Sequence, residues 1–183
     1  MTINCKGTLI DFTTPKVMGI LNITPDSFYF ESRKTSTDSL LKSAEKMLKE
    51  GATFLDLGGY SSRPGAEDIS ETQELERVIP AVKAILEAFP EALLSIDTFR
   101  SEVAEKSIEA GAALINDISG GHLDENMLKV IAKYQVPYIA MHMRGTPQTM
   151  KDLNDYKDLT QDILFYFSEI ISKAKSLGIN DLI

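Results

Sequence analysis

Cysteine, histidine and tryptophan are scarce in this sequence of 183 residues, which contains one cysteine, two histidines and no tryptophan. A single cysteine excludes an intramolecular disulfide and fits a reducing compartment such as the cytoplasm. So few thiol and imidazole groups leave no convincing ligand set for zinc. We therefore interpret Cys5 as a small, semi-apolar residue of an N-terminal strand rather than as a reactive thiol.

Positive charge and long apolar runs are also sparse. Lys and Arg number 19 against 27 Asp and Glu, so the net charge is −8. An acidic chain without a basic cluster argues against binding to nucleic-acid phosphates. No run reaches the roughly 18 apolar residues of a membrane span, and the first residues lack the apolar core of a secretion signal. The sequence thus predicts a cytoplasmic protein with neither nucleic acid nor membrane as a partner. An anionic substrate would need a local positive site.

A short apolar run followed by a helical period recurs after a predicted N-terminal hairpin at residues 1–11. Strands are predicted at residues 17–23, 53–58, 93–97, 114–118 and 137–143. Helices are predicted near 38–50, from 71 onward, at 101–110, around 125–134 and near 156–177. Consecutive βα units imply a parallel sheet, because each helix returns the chain to start the next parallel strand. No linker or second domain is predicted.

Local signals mark the ends of two of these helices. Ser70 and Gln73 have the spacing of a capping box, in which each side chain satisfies an orphan backbone N–H. Pro80 lies inside the same helical pattern and is expected to kink it. Gly178 can supply a left-handed cap to the last helix. The predicted buried face of that helix comprises Leu159, Ile163, Phe167, Ile170, Ala174 and Leu177.

Two parallel α/β architectures compete at this length. A doubly wound sheet is complete in five or six strands, whereas a (βα)8 barrel typically needs about 250 residues. Length alone therefore favours the doubly wound sheet, or else a barrel that is cut short. The glycine fingerprint of a dinucleotide fold is absent after the first strand, where residues 22–27 read NITPDS.

Polar residues end the predicted strands one after another: Asn22, Asp56, Asp97, Asn116 and His142. In parallel α/β folds the carboxyl ends of the strands face the ligand. A carboxylate such as Asp97 and an amide such as Asn116 could read the donor and acceptor edge of a flat heterocycle. The alternative is structural, since Asp and Asn after strands often cap helices or stabilise turns. Asp56 could simply anchor the Gly58–Gly59 turn, and His142 could be a structural histidine.

Two loops carry further polar groups. Residues 22–28, NITPDSF, combine amide, hydroxyl and carboxylate oxygens that suit Mg²⁺ and attached phosphate oxygens. The alternative is a helix start, with Thr24 as cap and Pro25 in the first turn. Residues 61–65, SSRPG, offer in Arg63 a planar fork for phosphate or carboxylate beside a stiff turn. The alternative here is a surface turn with a solvated arginine.

Together these segments resemble dihydropteroate synthase, the folate-pathway family that sulfonamides inhibit. The resemblance rests on MGILNITPDSF (18–28) and DLGGYSSRPGA (56–66), with support from SIDTFR (95–100), GAALINDISGG (111–121) and MHMRGTP (141–147). It runs in order from about Lys16 to Ile183. It implies a (βα)8 TIM-type barrel of the pterin-binding kind. Residues 17–183 would form its first five βα units and the start of strand six, within a single domain spanning 1–183.

The family joins 6-hydroxymethyl-7,8-dihydropterin diphosphate to p-aminobenzoate, giving 7,8-dihydropteroate and pyrophosphate. The resemblance implies that Asn22 helps bind Mg²⁺ and the diphosphate. It implies that Asp97 and Asn116 hold the pterin edge, with Met141 lining the pocket. Protein groups would mainly position the reactants and stabilise charge while pyrophosphate leaves and the aniline nitrogen attacks.

The resemblance assigns the p-aminobenzoate site to the second loop. Ser62 and Arg63 would help form this site and meet the first loop on closure. Thr24 and Pro64 are further implied substrate-binding residues. Arg63 and Asp97 are the implied catalytic residues. The implied partners are the two small-molecule substrates, and a homodimer is expected for a full-length protein.

The sequence departs from the family pattern in two places. The first loop usually continues after the phenylalanine with a small residue and then Asp-Gly-Gly, whereas residues 29–33 read YFESR. Either the loop carboxylate that would steady the cation is missing, or Glu31 replaces it in a shifted register. The later family motifs, which supply a pterin-binding lysine and the main cationic diphosphate ligands, are absent from these 183 residues. We therefore expect a partial chain without appreciable turnover by itself. The alternatives are a non-catalytic pterin-binding module and the pterin-binding domain of a methyltetrahydrofolate methyltransferase.

Overall fold

The structure is a computed structural model that describes residues 1–23, 33–61 and 68–183. An N-terminal hairpin, β1 (Thr2–Cys5) and β2 (Thr8–Asp11), precedes strands and helices that alternate along the chain. These are β3 (Met18–Asn22), α1 (Arg33–Lys49), β4 (Phe54–Gly58), α2 (Glu71–Ala88), β5 (Leu93–Asp97), α3 (Ser101–Glu109), β6 (Leu114–Asp117), α4 (Met127–Tyr134), β7 (Tyr138–Ala140) and α5 (Leu159–Ser176). A short 3₁₀ turn at Met150–Asp152 lies between β7 and α5. None of the helices in the described ranges is long and apolar enough to cross a bilayer.

The strands β3 to β7 form one parallel sheet in strictly sequential order. A doubly wound sheet reverses its strand order at a switch point, whereas a barrel adds each strand beside the last. Leu182 bridges to Tyr138 in parallel, and the Ile183 N–H donates to the Tyr138 carbonyl at 2.9 Å. The sequential order and this added strand confirm five βα units of a TIM-type barrel followed by the start of a sixth strand.

The two faces of the sheet have different compositions. One face carries Leu55, Leu57, Leu94 and Ile96, which are buried against the helices in the main core. The opposite face carries Asp56 and Ser95, which stand side by side in the register of β4 and β5. Because successive strand residues point to opposite faces, one residue in two faces the barrel interior. Asp56 and Ser95 therefore belong to the interior.

The N-terminal hairpin closes the amino-terminal end of this interior. Ile3 and Cys5 are buried in a second core with Phe54, Ala113 and Leu114. Burial, with a smaller contribution from Asp181, raises the pKa of the Cys5 thiol to about 11. The interpretation of Cys5 as a small residue of an N-terminal strand is confirmed, since it lies in β1 and is buried. The interior is thus apolar at the hairpin end and polar at the carboxyl ends of the strands.

Helix signals in the sequence are largely confirmed, and the errors fall at helix ends. The capping box of Ser70 and Gln73 opens α2, which continues through Pro80 to Ala88. α4 begins at Met127, two residues after the predicted start, and α5 begins at Leu159 instead of near residue 156. Ile170 and Ala174 are buried as predicted, but Leu159 is 51% exposed and Leu177 is 38% exposed. The predicted face therefore holds at the middle of α5 and fails at its ends. That the chain forms one domain stays a prediction.

Candidate functional site

One row of the sheet register contains three of the predicted site residues. Asn22, Gly58, Asp97 and Asn116 are successive partners across β3, β4, β5 and β6. All four therefore lie at the carboxyl ends of their strands and on the interior face. A Cβ at Gly58 would stand 3.5 Å from Asp97 Oδ2, so the absent side chain leaves space beside that carboxylate. The structure thus brings Asp97 and Asn116 together as the sequence predicted.

Asp56 lies one row deeper in the interior, and its carboxylate contacts the Asn116 side chain. The Asn116 Nδ2 donates a hydrogen bond to Asp56 Oδ2 at 3.1 Å. Burial raises the pKa of Asp56, and the neighbouring Ser95 and Asn116 side chains lower it in part. Asp56 Oδ1 and Ser95 Oγ are buried at neighbouring register positions, and neither makes a hydrogen bond of good geometry with the described residues. Buried polar atoms of this kind are rare in proteins, and both oxygens could bind a polar group in the interior.

Asp97 is the most perturbed of these carboxyl groups. Burial raises its pKa to about 7, with further contributions from the negative charges of Asp56, Glu74 and Asp117. No hydrogen bond to the Asp97 side chain is found within the described ranges. A carboxyl group in this state can accept hydrogen bonds from two adjacent N–H donors, which would also favour its ionised form. The local chemistry suits a flat, uncharged or cationic heterocycle with neighbouring donors.

Of the remaining predicted residues, one lies in the described part of the chain and five lie outside it. Met141 follows β7, is 40% exposed, and donates its backbone N–H to the Asp117 carbonyl at 3.1 Å. It therefore stands at the same end of the sheet as Asp97 and Asn116. The predictions for residues 24, 31 and 62–64 concern Thr24, Glu31, Ser62, Arg63 and Pro64, which lie outside the described residues.

Both histidines have the packing expected of structural residues. The His122 ring stacks on Tyr166 at 4.6 Å, and the His142 ring meets Tyr166 edge-on at 4.7 Å. His122 Nδ1 lies 2.9 Å from the Ser119 carbonyl oxygen. Within 1–23, 33–61 and 68–183, no group of three or more His, Cys, Asp and Glu side chains could hold a metal ion.

Sequence reasoning gave Asp56 too little weight and missed Ser95. Asp56 contacts Asn116 instead of the Gly58–Gly59 turn to which one interpretation assigned it. The period-2 alternation of strands contained the signal, since Asp56 and Gly58 share a face, as do Ser95 and Asp97. Applied across neighbouring strands, the same alternation places both residues in the interior.

The comparisons with known proteins agree with this geometry. Residues 18–183 match the family model of pterin binding enzymes, so the chain belongs to this family. Its relatives within the family include dihydropteroate synthases. It is 42% identical over 180 residues to the Escherichia coli enzyme, covering 98% of this chain and 63% of that protein.

Solved structures show the same relationship. The Yersinia pestis dihydropteroate synthase has a TM-score of 0.86 and 40% identity, with 98% of this chain and 64% of that one covered. The Xanthomonas albilineans enzyme has a TM-score of 0.85 and 34% identity, with 99% and 64% covered. The chain therefore spans less than two thirds of the length of each of these relatives.

Proposed function

We propose that the protein to which this chain contributes is a dihydropteroate synthase, a transferase of folate biosynthesis. It would condense 6-hydroxymethyl-7,8-dihydropterin diphosphate with p-aminobenzoate to give 7,8-dihydropteroate and pyrophosphate. The observation that carries the proposal is Asp97, a half-buried carboxyl group without a hydrogen-bond partner in the described ranges, in register with Asn116. The pterin 2-amino group and the adjacent ring N–H present the paired donors that this carboxylate lacks.

The pterin would lie on the interior face above the apolar layer formed with the hairpin. Asp97 would accept from its donor edge, and Asn116 would offer its amide oxygen and one remaining N–H, since only one hydrogen of its Nδ2 is donated to Asp56. Ser95 Oγ and Asp56 Oδ1, which make no hydrogen bond of good geometry with the described residues, lie deeper in the same interior. Met141 would cover the ring from the end of β7. These groups would hold the pterin methylene in a fixed position while the bond to the diphosphate breaks.

The reaction itself exchanges one bond for another. The C–O bond from the methylene to the diphosphate breaks with its electron pair going to oxygen. The amine of p-aminobenzoate then forms the C–N bond and loses a proton. We assign Asn22, an exposed amide at the end of β3, as a ligand that helps hold Mg²⁺. Mg²⁺ takes few protein ligands when substrate phosphates supply others, and it would neutralise the leaving diphosphate.

We assign the p-aminobenzoate site to the loops that follow β3 and β4. Ser62, Arg63 and Pro64 would contact this substrate together with Thr24, and Arg63 would pair with its carboxylate. Two structural neighbours support this substrate class. The Xanthomonas albilineans enzyme was solved with 4-aminobenzoic acid and the Yersinia pestis enzyme with a sulfonamide drug. Sulfonamide sensitivity, a homodimeric assembly and a cytoplasmic location belong to the same proposal.

The experiment joins residues 1–183 to the C-terminal part of the Escherichia coli relative and measures dihydropteroate formation. We expect turnover that requires both substrates, and we expect Asp97→Ala to weaken pterin binding roughly 100-fold by removing hydrogen bonds to a charged acceptor. Lys133→Met is the control, since Lys133 makes an exposed ion pair with Glu105 on the helical layer.

Two other outcomes would contradict the proposal. Pterin binding without turnover in the joined protein would favour a non-catalytic pterin-binding module. Transfer of a methyl group from methyltetrahydrofolate to a corrinoid would favour the methyltransferase alternative.

A further inference from the structure

One tyrosine of α5 joins the two loops that follow β6 and β7. The Tyr166 hydroxyl donates to the Ser119 carbonyl oxygen at 2.7 Å and to the Met141 carbonyl oxygen at 3.0 Å. A hydroxyl has a single hydrogen, so the two carbonyl groups share it in a three-centre hydrogen bond. Each loop therefore has one backbone carbonyl bound to the same point on α5.

The loop after β6 is also held by a buried carboxylate. Asp117 is the last residue of β6 and is fully buried. Its Oδ1 accepts from the Ser119 backbone N–H at 2.7 Å, and its Oδ2 accepts from the Gly121 backbone N–H at 2.9 Å and the Tyr138 hydroxyl at 2.6 Å. Its backbone carbonyl accepts from the Met141 N–H at 3.1 Å. Both backbone groups of Met141 are thus bound, the N–H to β6 and the carbonyl to α5.

The ring and the hydroxyl of Tyr166 have little freedom to move. His122 stacks on the ring at 4.6 Å, and His142 meets it edge-on at 4.7 Å. A Cβ at Gly120, whose φ is +59°, would stand 3.1 Å from the Tyr166 hydroxyl oxygen and 3.3 Å from the Met141 carbonyl oxygen. Only a glycine lets the backbone pass this close without displacing them. Burial raises the pKa of Tyr166 to about 12, so the hydroxyl remains a donor at neutral pH.

The groups that Tyr166 and Asp117 hold lead directly to the proposed pterin row. Asn116 precedes Asp117 in β6 and is in register with Asp97. Met141 follows Ala140, the β7 residue that is in register with Asp117. A methionine side chain adapts its shape by rotation about three bonds, so the surface it covers depends on where its backbone is held. The hydrogen bonds to the Met141 backbone therefore determine which part of the site its side chain can reach.

We propose that Tyr166 is a positioning residue that fixes the Met141 backbone against the loop after β6 and thereby strengthens binding of the pterin substrate. This inference rests on the proposed function, which places Met141 over the pterin ring. Tyr166 acts through the carbonyl groups of Met141 and Ser119. Its loss should weaken pterin binding and have little effect on p-aminobenzoate, which the proposed function assigns to the loops after β3 and β4.

The binding test uses the joined protein described above and its variant Tyr166→Phe, which removes the hydroxyl and keeps the ring between the two histidines. Titration calorimetry measures binding of the pterin diphosphate without p-aminobenzoate, and steady-state kinetics gives the KM for p-aminobenzoate. We expect the Kd for the pterin diphosphate to rise about fivefold, as for the loss of one neutral hydrogen bond, and the KM for p-aminobenzoate to change less than about twofold.

Tyr134→Phe is the matched control. The Tyr134 hydroxyl is likewise shared between two oxygens, Glu105 Oε1 at 3.2 Å and Glu109 Oε1 at 2.8 Å, but it lies on the helical layer between α3 and α4. We expect this control to leave both constants unchanged. Equal changes in the two constants of Tyr166→Phe, or an unchanged Kd for the pterin diphosphate, would overturn the proposal.

A second test does not depend on turnover. Amide hydrogen exchange is measured on the 183-residue chain and on its Tyr166→Phe variant. We expect faster exchange at residues 119–123 and 141–143 in the variant and unchanged exchange in β1 and β2. Unchanged exchange at 119–123 and 141–143 would refute the holding role. A joined protein without turnover would count against the proposed function alone, because pterin binding and amide exchange would still decide the role of Tyr166.

Discussion

Asp97 shows at the scale of one residue how a binding site lowers the stability of a fold. The barrel interior buries this carboxyl group near Asp56, Glu74 and Asp117, and the combined effect raises its pKa to about 7. Only Glu74 among these neighbours has an arginine as a partner in the described ranges. A ligand that donates two hydrogen bonds to Asp97 would offset part of the free-energy cost of burying its carboxylate. Groups with such shifts are concentrated at functional sites for this reason.

The first prediction concerns Asp97→Asn and the pH dependence of stability. Because the folded-state pKa is raised, the native state retains a proton that the unfolded state has released between about pH 4 and pH 7. The contribution of Asp97 to stability therefore falls as the pH rises through this window. We expect Asp97→Asn to raise the free energy of unfolding at pH 8 by about 1–3 kcal/mol and to flatten this part of the profile.

Urea denaturation at a series of pH values measures this effect, and Asp124→Asn is the matched control. The Asp124 carboxylate accepts from the Ser101 and Asn126 backbone N–H groups, which lower its pKa despite partial burial. Its replacement should reduce stability at neutral pH, the opposite sign. A loss of stability at pH 8 in Asp97→Asn would show that the carboxylate is satisfied in the native state.

The sequence was enough to predict which polar residues lie together at the strand ends. It was not enough to predict which side chains contact one another deeper in the barrel. Asp97 and Asn116 could be paired because parallel strands end at the same edge. The contact between Asp56 and Asn116 could not, since the register of β4 against β6 depends on β5 between them. The contacts of Arg100 could not be predicted either. Its guanidinium donates to Glu74 and to the Ile69 carbonyl, which are distant from it in sequence.

At the scale of elements, helix ends marked by local caps could be predicted from the sequence, whereas those set by tertiary burial could not. The spacing of Ser70 and Gln73 gave the start of α2 correctly because both hydrogen bonds of the box are local. The ends of α5 depended on tertiary burial, which the helical period alone does not report. Gly178 was still placed correctly after α5, where its φ of +75° is left-handed and the Ile179 N–H donates to the Ala174 carbonyl at 3.0 Å.

The second prediction concerns the capping box of α2. Ser70→Ala removes the acceptor for the Gln73 backbone N–H, at 3.2 Å, and should lower the free energy of unfolding by about 1 kcal/mol. Because the Gln73 backbone N–H would lose its acceptor, amide protons in the first turn of α2 should also exchange faster. Ser70→Gly is the comparison, since glycine at this position costs only a few tenths of a kcal/mol. Thermal denaturation of both variants measures the difference, and equal melting temperatures would contradict a capping role.

At the scale of the whole molecule, the sheet is open at both sides. β3 and residues 181–183 pair with one neighbouring strand each in the described ranges. Ile20 on β3 is 64% exposed, and Leu164 and Phe165 on α5 are 66% and 64% exposed. Unpaired strand edges and exposed apolar side chains promote association between chains. The relatives are longer than this chain, which covers less than two thirds of the length of those named above.

The third prediction follows for the 183-residue polypeptide produced by itself. We expect it to self-associate with increasing concentration and to show no appreciable condensation of the two substrates. Leu164→Lys combined with Phe165→Lys should reduce the association, because charge at exposed sites opposes contact between copies at little cost in stability. Leu9→Lys on the hairpin is the control, since Leu9 is 71% exposed but lies far from α5 in sequence. Sedimentation velocity over a range of concentrations measures the assembly state. A monomer at all concentrations would show that the open strand edges are protected. Robust turnover by this polypeptide would show that the described interior row and its neighbouring loops suffice for the chemistry.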